Sequence, residues 1–233
     1  MRSRGVVLAV VIALTPPAAR AQAGGGGAGG GSRIAGRVTI LERHNKPSPD
    51  LGDAVIYLEG AGPGARTATA DVVIRDKVYV PHVVVVPAGS TVRFPNLDPF
   101  NHNVFSVSEP NQFDLGLYGR GEAKGHTFTA PGLVRVFCNV HPRMVAYVIV
   151  LANRWFTQPS GDGTFTINDV PSGRYRLHVW HERVAAEVVT DVTVAPPGVG
   201  DLQITLDARG YKWQPHMNKF GQDYPTNEGR ERY

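Results

Sequence analysis

Residues 138–144 read Cys-Asn-Val-His-Pro-Arg-Met, placing a thiol, an imidazole and a thioether within seven positions, and Cys138 is the only cysteine in a chain of 233 residues. With no second cysteine, an internal disulfide is excluded, so the thiol either fills space or binds something. "GLVRVF" before this stretch alternates as a strand does, and "VAYVIV" after it begins another. A turn between two strand ends can fold Cys138, His141 and Met144 around one point. A fourth ligand must come from elsewhere, and His102 in "FPNLDPFNHNVFS" stands at the start of a further strand. Two imidazoles and one thiolate in a plane, with a weak axial thioether, form the donor set of a blue copper electron-transfer site. Zinc would favour another thiolate or a carboxylate over Met144. Taken singly, each of these residues has an ordinary structural role, the thiol and thioether in a core and the imidazoles in hydrogen bonds. It is their combination and order that point to copper.

The compartment decides what a lone thiol can be. In "MRSRGVVLAVVIALTPPAARAQA", Arg2 and Arg4 precede an apolar run from Gly5 to Leu14, and Ala19-Arg20-Ala21 offers a small-x-small cleavage site. Residues 1–21 read as a secretory signal peptide, and residues 22–32 as a glycine-rich linker. The protein is therefore expected to be periplasmic or secreted, with no membrane-spanning segment after cleavage. Removing Arg2, Arg4 and Arg20 takes the formal charge from +4 to +1, which excludes nucleic acid as a partner suggested by charge. In an oxidising compartment a bound metal would protect the thiol.

The elements that must position these ligands are strands. Short runs rich in Val, Ile, Tyr, Phe and Thr ("GRVTI", "DAVIYLEG", "HVVVVPAGSTVRF", "AYVIVLA", "GTFTI", "YRLHVW", "LQITL") are broken by Gly, Pro, Asn and Asp, and no apolar pattern of helical period is long enough for a helix. The fold class is all-β.

From about Asp71 to Asn153 the order is "VYVPH", then "VVVVPAGSTVRFPNLD", then the His102-Asn103 pair, then the Cys-x2-His-x2-Met loop. This order resembles the cupredoxins, above all short-loop members such as amicyanin. The intervening "SVSEPNQFDLGLYGRGEAKGHTF" is similar to a bacterial group labelled methylamine-utilisation-like. The resemblance implies a Greek-key β-sandwich with one type 1 copper centre cycling between Cu(I) and Cu(II). It implies His102, Cys138, His141 and Met144 as ligands, Asn103 as the residue tying the His102 segment to the cysteine loop, and His141 as the exit for electrons. On either side, "IAGRVTILERHNKPSPDLGDAVIYLEG" and "PSGDGTFTINDVPSGRYRLHVWHE" together resemble the carboxypeptidase-regulatory-like β-sandwich. Neither half buries its apolar face alone. The expected organisation is residues 33–65 and 154–208 as two parts of that second sandwich, with the copper domain, 66–153, inserted between them. The alternative is that residues 33–62 are leading strands of the copper domain.

The other histidines are weaker candidates. His178 and His181 are expected on opposite faces of a strand, and His44, His82 and His126 have no ligand-like neighbours. His216 and Met217, in a strand-poor tail (209–233) that should wrap a surface or fray, could hold a second copper ion. The expected function is a one-electron carrier serving a periplasmic redox protein such as a c-type cytochrome or a dehydrogenase. The alternative is a copper chaperone or store, for which three methionines, one of them Met1, offer little. The chain is not expected to be an enzyme: it has no His-x-His pair for a copper cluster, and neither Gly-x-Ser-x-Gly nor His-Glu-x-x-His.

Overall fold

Alternation in the sequence becomes alternation of burial. In β1 (Ser32–Leu41), Ile34, Val38 and Ile40 are buried while Arg37, Thr39 and Leu41 face outward, as a strand with one face on a core requires. The computed structural model describes residues 31–60, 62 and 64–224; the expected signal segment (1–21), most of the glycine linker and residues 225–233 lie outside them. The fold is all-β. Two single turns of 3-10 helix, Arg43–Asn45 and Leu51–Asp53, are the only helical elements among the described residues, and none of these is long and apolar enough to cross a membrane.

After β1, β2 (Val55–Leu58) completes the leading part. Ten strands follow: β3 (Thr69–Asp71), β4 (Val73–Arg75), β5 (Val78–Val80), β6 (Val83–Pro87), β7 (Ser90–Pro95), β8 (His102–Ser106), β9 (Phe113–Tyr118), β10 (Ala123–Phe128), β11 (Gly132–Cys138) and β12 (Val145–Leu151). The chain continues through β13 (Phe156–Thr157), β14 (Thr164–Val170), β15 (Gly173–Trp180), β16 (Val188–Val194) and β17 (Gly198–Asp207).

Pairing sorts these strands into two sandwiches. One combines the sheets β14-β1-β17 and β13-β2-β15-β16, around a core that includes Ile34, Leu58, Trp155, Leu177 and Leu206. The other combines β6-β12-β11-β8-β9 with β10-β7-β3 and the β4-β5 pair, around Val92, Phe94, Phe128, Val136 and Val148. Strands from the two ends of the described chain thus share one core, with β3–β12 between them. β1 begins at Ser32, one residue inside the expected linker, because Ser32 pairs with Val170. The chain enters and leaves the intervening sandwich side by side: Asn153 Nδ2 donates to the carbonyls of Leu58 and Gly60, both at 2.9 Å.

A third apolar cluster joins the sandwiches. Val55 and Trp180 pack with Val83, Ile149 and Leu151, and the Trp180 ring lies 5.2 Å from that of Tyr147. Beside it His82 Nε2 lies 2.9 Å from Glu182 Oε1. For the metal site the decisive pairing is β8 against β11, where Cys138 faces Val104. That register sets the end of β11 against the start of β8, where His102 stands.

Candidate metal centre

Strand register brings two of the candidate ligands together and a tight turn brings the rest. Cys138 closes β11, and the chain folds back so that the Cys138 amide donates to the Met144 carbonyl (3.3 Å) and the Met144 amide to the His141 carbonyl (3.1 Å). Val140 N–H points at Cys138 Sγ at 3.4 Å. His102 and Cys138 are 0% exposed, Met144 1% and His141 3%. Cys138 Sγ lies 3.6 Å from His102 Nδ1 and 3.6 Å from His141 Nδ1, and the three ligand atoms fall within 4.8 Å of one another. Bonds of about 2.3 Å to sulfur and about 2.0–2.1 Å to nitrogen, at angles between tetrahedral and trigonal, would set S and N about 3.6–3.8 Å apart around one ion. The two sulfur–nitrogen separations therefore suit a thiophilic first-row metal. Met144 belongs to the same buried cluster as Cys138, and His102, Cys138, His141 and Met144 are grouped as in a type 1 copper site.

The surroundings prepare these groups as ligands. Burial pulls the His102 ring below its usual range, although Asp98 opposes that shift. Burial and the neighbouring His102 lower His141 to about 4. Both imidazoles are thus neutral near pH 7, the form that binds metal. Burial pushes the Cys138 thiol up, partly offset by backbone hydrogen bonds from Val140, Asn103 and His141. A metal must therefore displace a proton from sulfur.

Asp98, which sequence reasoning missed, orients His102. Its Oδ2 lies 2.8 Å from His102 Nε2, so the ring proton sits on Nε2 and the Nδ1 lone pair faces Cys138. Burial alone would raise the Asp98 carboxyl, but the amides of Lys77 and Asp76 and the His102 ring hold it below its ordinary value. The available signal was a carboxylate four residues before the histidine in "NLDPFNH". Phe100, also missed, leans on both imidazoles, with centroids 5.2 Å from His102 and 5.7 Å from His141.

Asn103 ties its segment to the cysteine loop through its backbone. Its carbonyl accepts from the Asn139 amide at 3.3 Å, while its side-chain Nδ2 donates to Asp114 Oδ1 at 2.6 Å.

Elsewhere the histidines have other work. His178 lies 2.8 Å from Glu187 and 3.3 Å from Glu59. His181 follows the end of β15, with its Nε2 3.3 Å from the Asp50 carbonyl. His216 stacks on Phe137, and Met217 is 58% exposed. Among the described residues, His102, Cys138 and His141 are the one set of three His, Cys, Asp or Glu side chains whose ligand atoms converge.

Comparison with known proteins gives partial likenesses. Residues 152–200 match the family described as polysaccharide lyase family 4, domain II. No curated relative matches the sequence. Among solved structures, a purple cupredoxin from Nitrosopumilus maritimus is 26% identical over 35% of this chain and 99% of its own, with a TM-score of 0.33. A copper-containing nitrite reductase from Thermus scotoductus SA-01 is 25% identical over 49% of this chain and 28% of its own, with a TM-score of 0.35. A reduced amicyanin variant is 23% identical over 41% of this chain and 98% of its own, also at 0.35.

Proposed function

We propose that the chain is a type 1 copper protein of the cupredoxin kind, acting as a one-electron carrier in the periplasm or outside the cell. The observation that carries this reading is the convergence of buried His102, Cys138 and His141 on one point, with Met144 closing the loop. When bound, copper supplies a one-electron couple between Cu(I) and Cu(II). The protein's part is to keep the donors fixed. Asp98 holds the His102 ring, the bonds between Cys138, His141 and Met144 hold the loop, and Phe100 lies against both imidazoles. Fixed donors suit transfer without rearrangement, whereas a store or chaperone needs ligands that let go.

In the same reading, residues 66–153 form the copper domain, inserted into a second sandwich of the carboxypeptidase-regulatory-like kind built from 33–65 and 154–208, which serves as a structural or docking module. The partner in this reading is a periplasmic redox protein such as a c-type cytochrome or a dehydrogenase, and the chain itself is not an enzyme.

The test is a visible spectrum of the protein with Cu(II). A strong thiolate-to-copper band is expected, and Cys138→Ala should abolish it; a band that survives unchanged in Cys138→Ala ends the copper assignment. Mixing the reduced protein with a competing Cu(I) chelator separates carrier from store. Loss of metal within seconds would replace the carrier reading with the store.

A further inference from the structure

The tail that follows β17 forms no strand, yet its contacts converge on the metal loop. Tyr224 Oη donates to the carbonyl of Cys138 at 2.7 Å. The Lys219 amide donates to Asn139 Oδ1 at 2.8 Å, and its Nζ lies 2.6 Å from Asp114 Oδ2, the carboxylate whose other oxygen accepts from Asn103. The His216 ring stacks on Phe137 with centroids 4.4 Å apart, and Tyr224 meets His216 edge-on at 5.3 Å. Three consecutive residues, Phe137, Cys138 and Asn139, are therefore each held by the tail. Through Asp114 and Asn103 the tail also reaches the neighbour of His102. Ordering a segment without secondary structure costs backbone entropy at every residue. Contacts gathered on the ligand segments from separations of 80 to 105 residues help to offset that cost where the ligands stand.

We propose that this tail is a clamp built into the metal site, with Tyr224 and Lys219 as positioning residues that fix the backbone carrying the Cys138 thiol. The inference rests on reading the His102, Cys138, His141 and Met144 group as a metal site, but the contacts are made by the protein alone. With the clamp closed, the thiol keeps its place between the two imidazoles, and a bound metal leaves slowly. With it released, the loop opens more often and metal loss speeds up.

The experiment uses the full chain and the variants Tyr224→Phe, which keeps the ring against His216, and Tyr224→Phe with Lys219→Met. Hydrogen exchange of the metal-free proteins is read at the amides of Cys138, Asn139 and Met144, with β15 and β16 as internal control. Removing one hydrogen bond should speed loop exchange by up to about tenfold, with more in the double variant and no change in β15 and β16. The Cu(II)-loaded double variant should lose metal to a chelator about tenfold faster and show a shifted reduction potential. The Lys219→Arg variant should behave like the parent. Equal loop exchange in parent and double variant overturns the clamp, as does equal acceleration in β15 and β16 or an unchanged rate of metal loss. If no protein, parent included, holds Cu(II), the copper reading fails, and the exchange measurement alone decides on the clamp.

Discussion

Replacing Asp98 with alanine should damage both folding and metal binding, by amounts the contacts allow to be worked out. The carboxylate is 4% exposed and accepts from His102 Nε2 at 2.8 Å, from the Asp76 amide at 2.6 Å and from the Lys77 amide at 3.0 Å. Asp76 is exposed and Lys77 half-buried, so water can take over at the two amides, and each lost bond costs about 0.5–1.5 kcal/mol. The His102 ring is 0% exposed and no water replaces its acceptor, so that loss costs about 1–3 kcal/mol. Together the change should destabilise the metal-free protein by about 2–6 kcal/mol. Because a carboxylate behind a ligating histidine sets its tautomer, copper affinity should fall about 10–100-fold as well. Asp98→Asn keeps one acceptor oxygen and should lie between. Urea unfolding of the metal-free proteins gives the first quantity and competition with a Cu(I) chelator the second. If Asp98→Ala unfolds within about 0.5 kcal/mol of the parent and binds copper equally well, the carboxylate does not hold the histidine.

Met144→Leu should keep the visible band and raise the reduction potential, because a thioether would be the weakest of the four donors to a bound copper ion; cyclic voltammetry on the copper-loaded protein checks this, and a lowered potential would contradict it. Trp180→Ala removes the largest ring of the cluster joining the sandwiches and should cost about 3–5 kcal/mol in urea unfolding, leaving the band of the folded protein unchanged. The His82–Glu182 pair should make stability depend on pH. Burial opposes both charges, but each partner overrides it, holding His82 above its ordinary 6.5 and Glu182 below its ordinary 4.5. The pair's contribution is then full between pH 4.5 and 6.5, lost above as His82 deprotonates in the folded state and lost below as Glu182 protonates. Unfolding free energies of the parent and Glu182→Gln should differ most between pH 4.5 and 6.5 and draw together as the pH moves away from that window on either side, and a difference constant with pH would refute the assignment.

The metal loop was legible because its chemistry is local: a thiol, an imidazole and a thioether within seven residues need only one turn to meet. His102 was legible because a polar residue opening an apolar strand stands out. Asp98 was not, since a carboxylate beside Pro99 in a turn has an ordinary use as a turn former, and only the fold reveals the ring behind it. The tail was opaque for a different reason. It has no apolar period, and single bonds from Lys219 and Tyr224 to a loop some 80 residues earlier leave no pattern along the chain. Strand existence followed from alternation, while the partners of β1 could not: Ile34 pairs with Ile167 on one side and with Val199 on the other, and the sequence marks neither.

The placing of β1 fixes an order of assembly. It runs parallel to β17, with Arg33 beside Gly198, so the earliest described strand of the chain finds its partners only after the whole intervening sandwich has been made. Contacts of such long sequence separation form slowly, because the loop must close before any bond repays it. The intervening strands pair among themselves and can condense first. Until β14 emerges β1 has both edges bare, and until residues near Gly198 emerge it keeps one, a state in which strands join their neighbours' copies rather than wait. The hydrogen bonds from Asn153 to Leu58 and Gly60 shorten that interval, because they draw the two flanks together as soon as β12 ends and leave only a short search for the remaining strands. Asn153→Ala should therefore show itself less in the final stability than in the yield of refolding at high protein concentration.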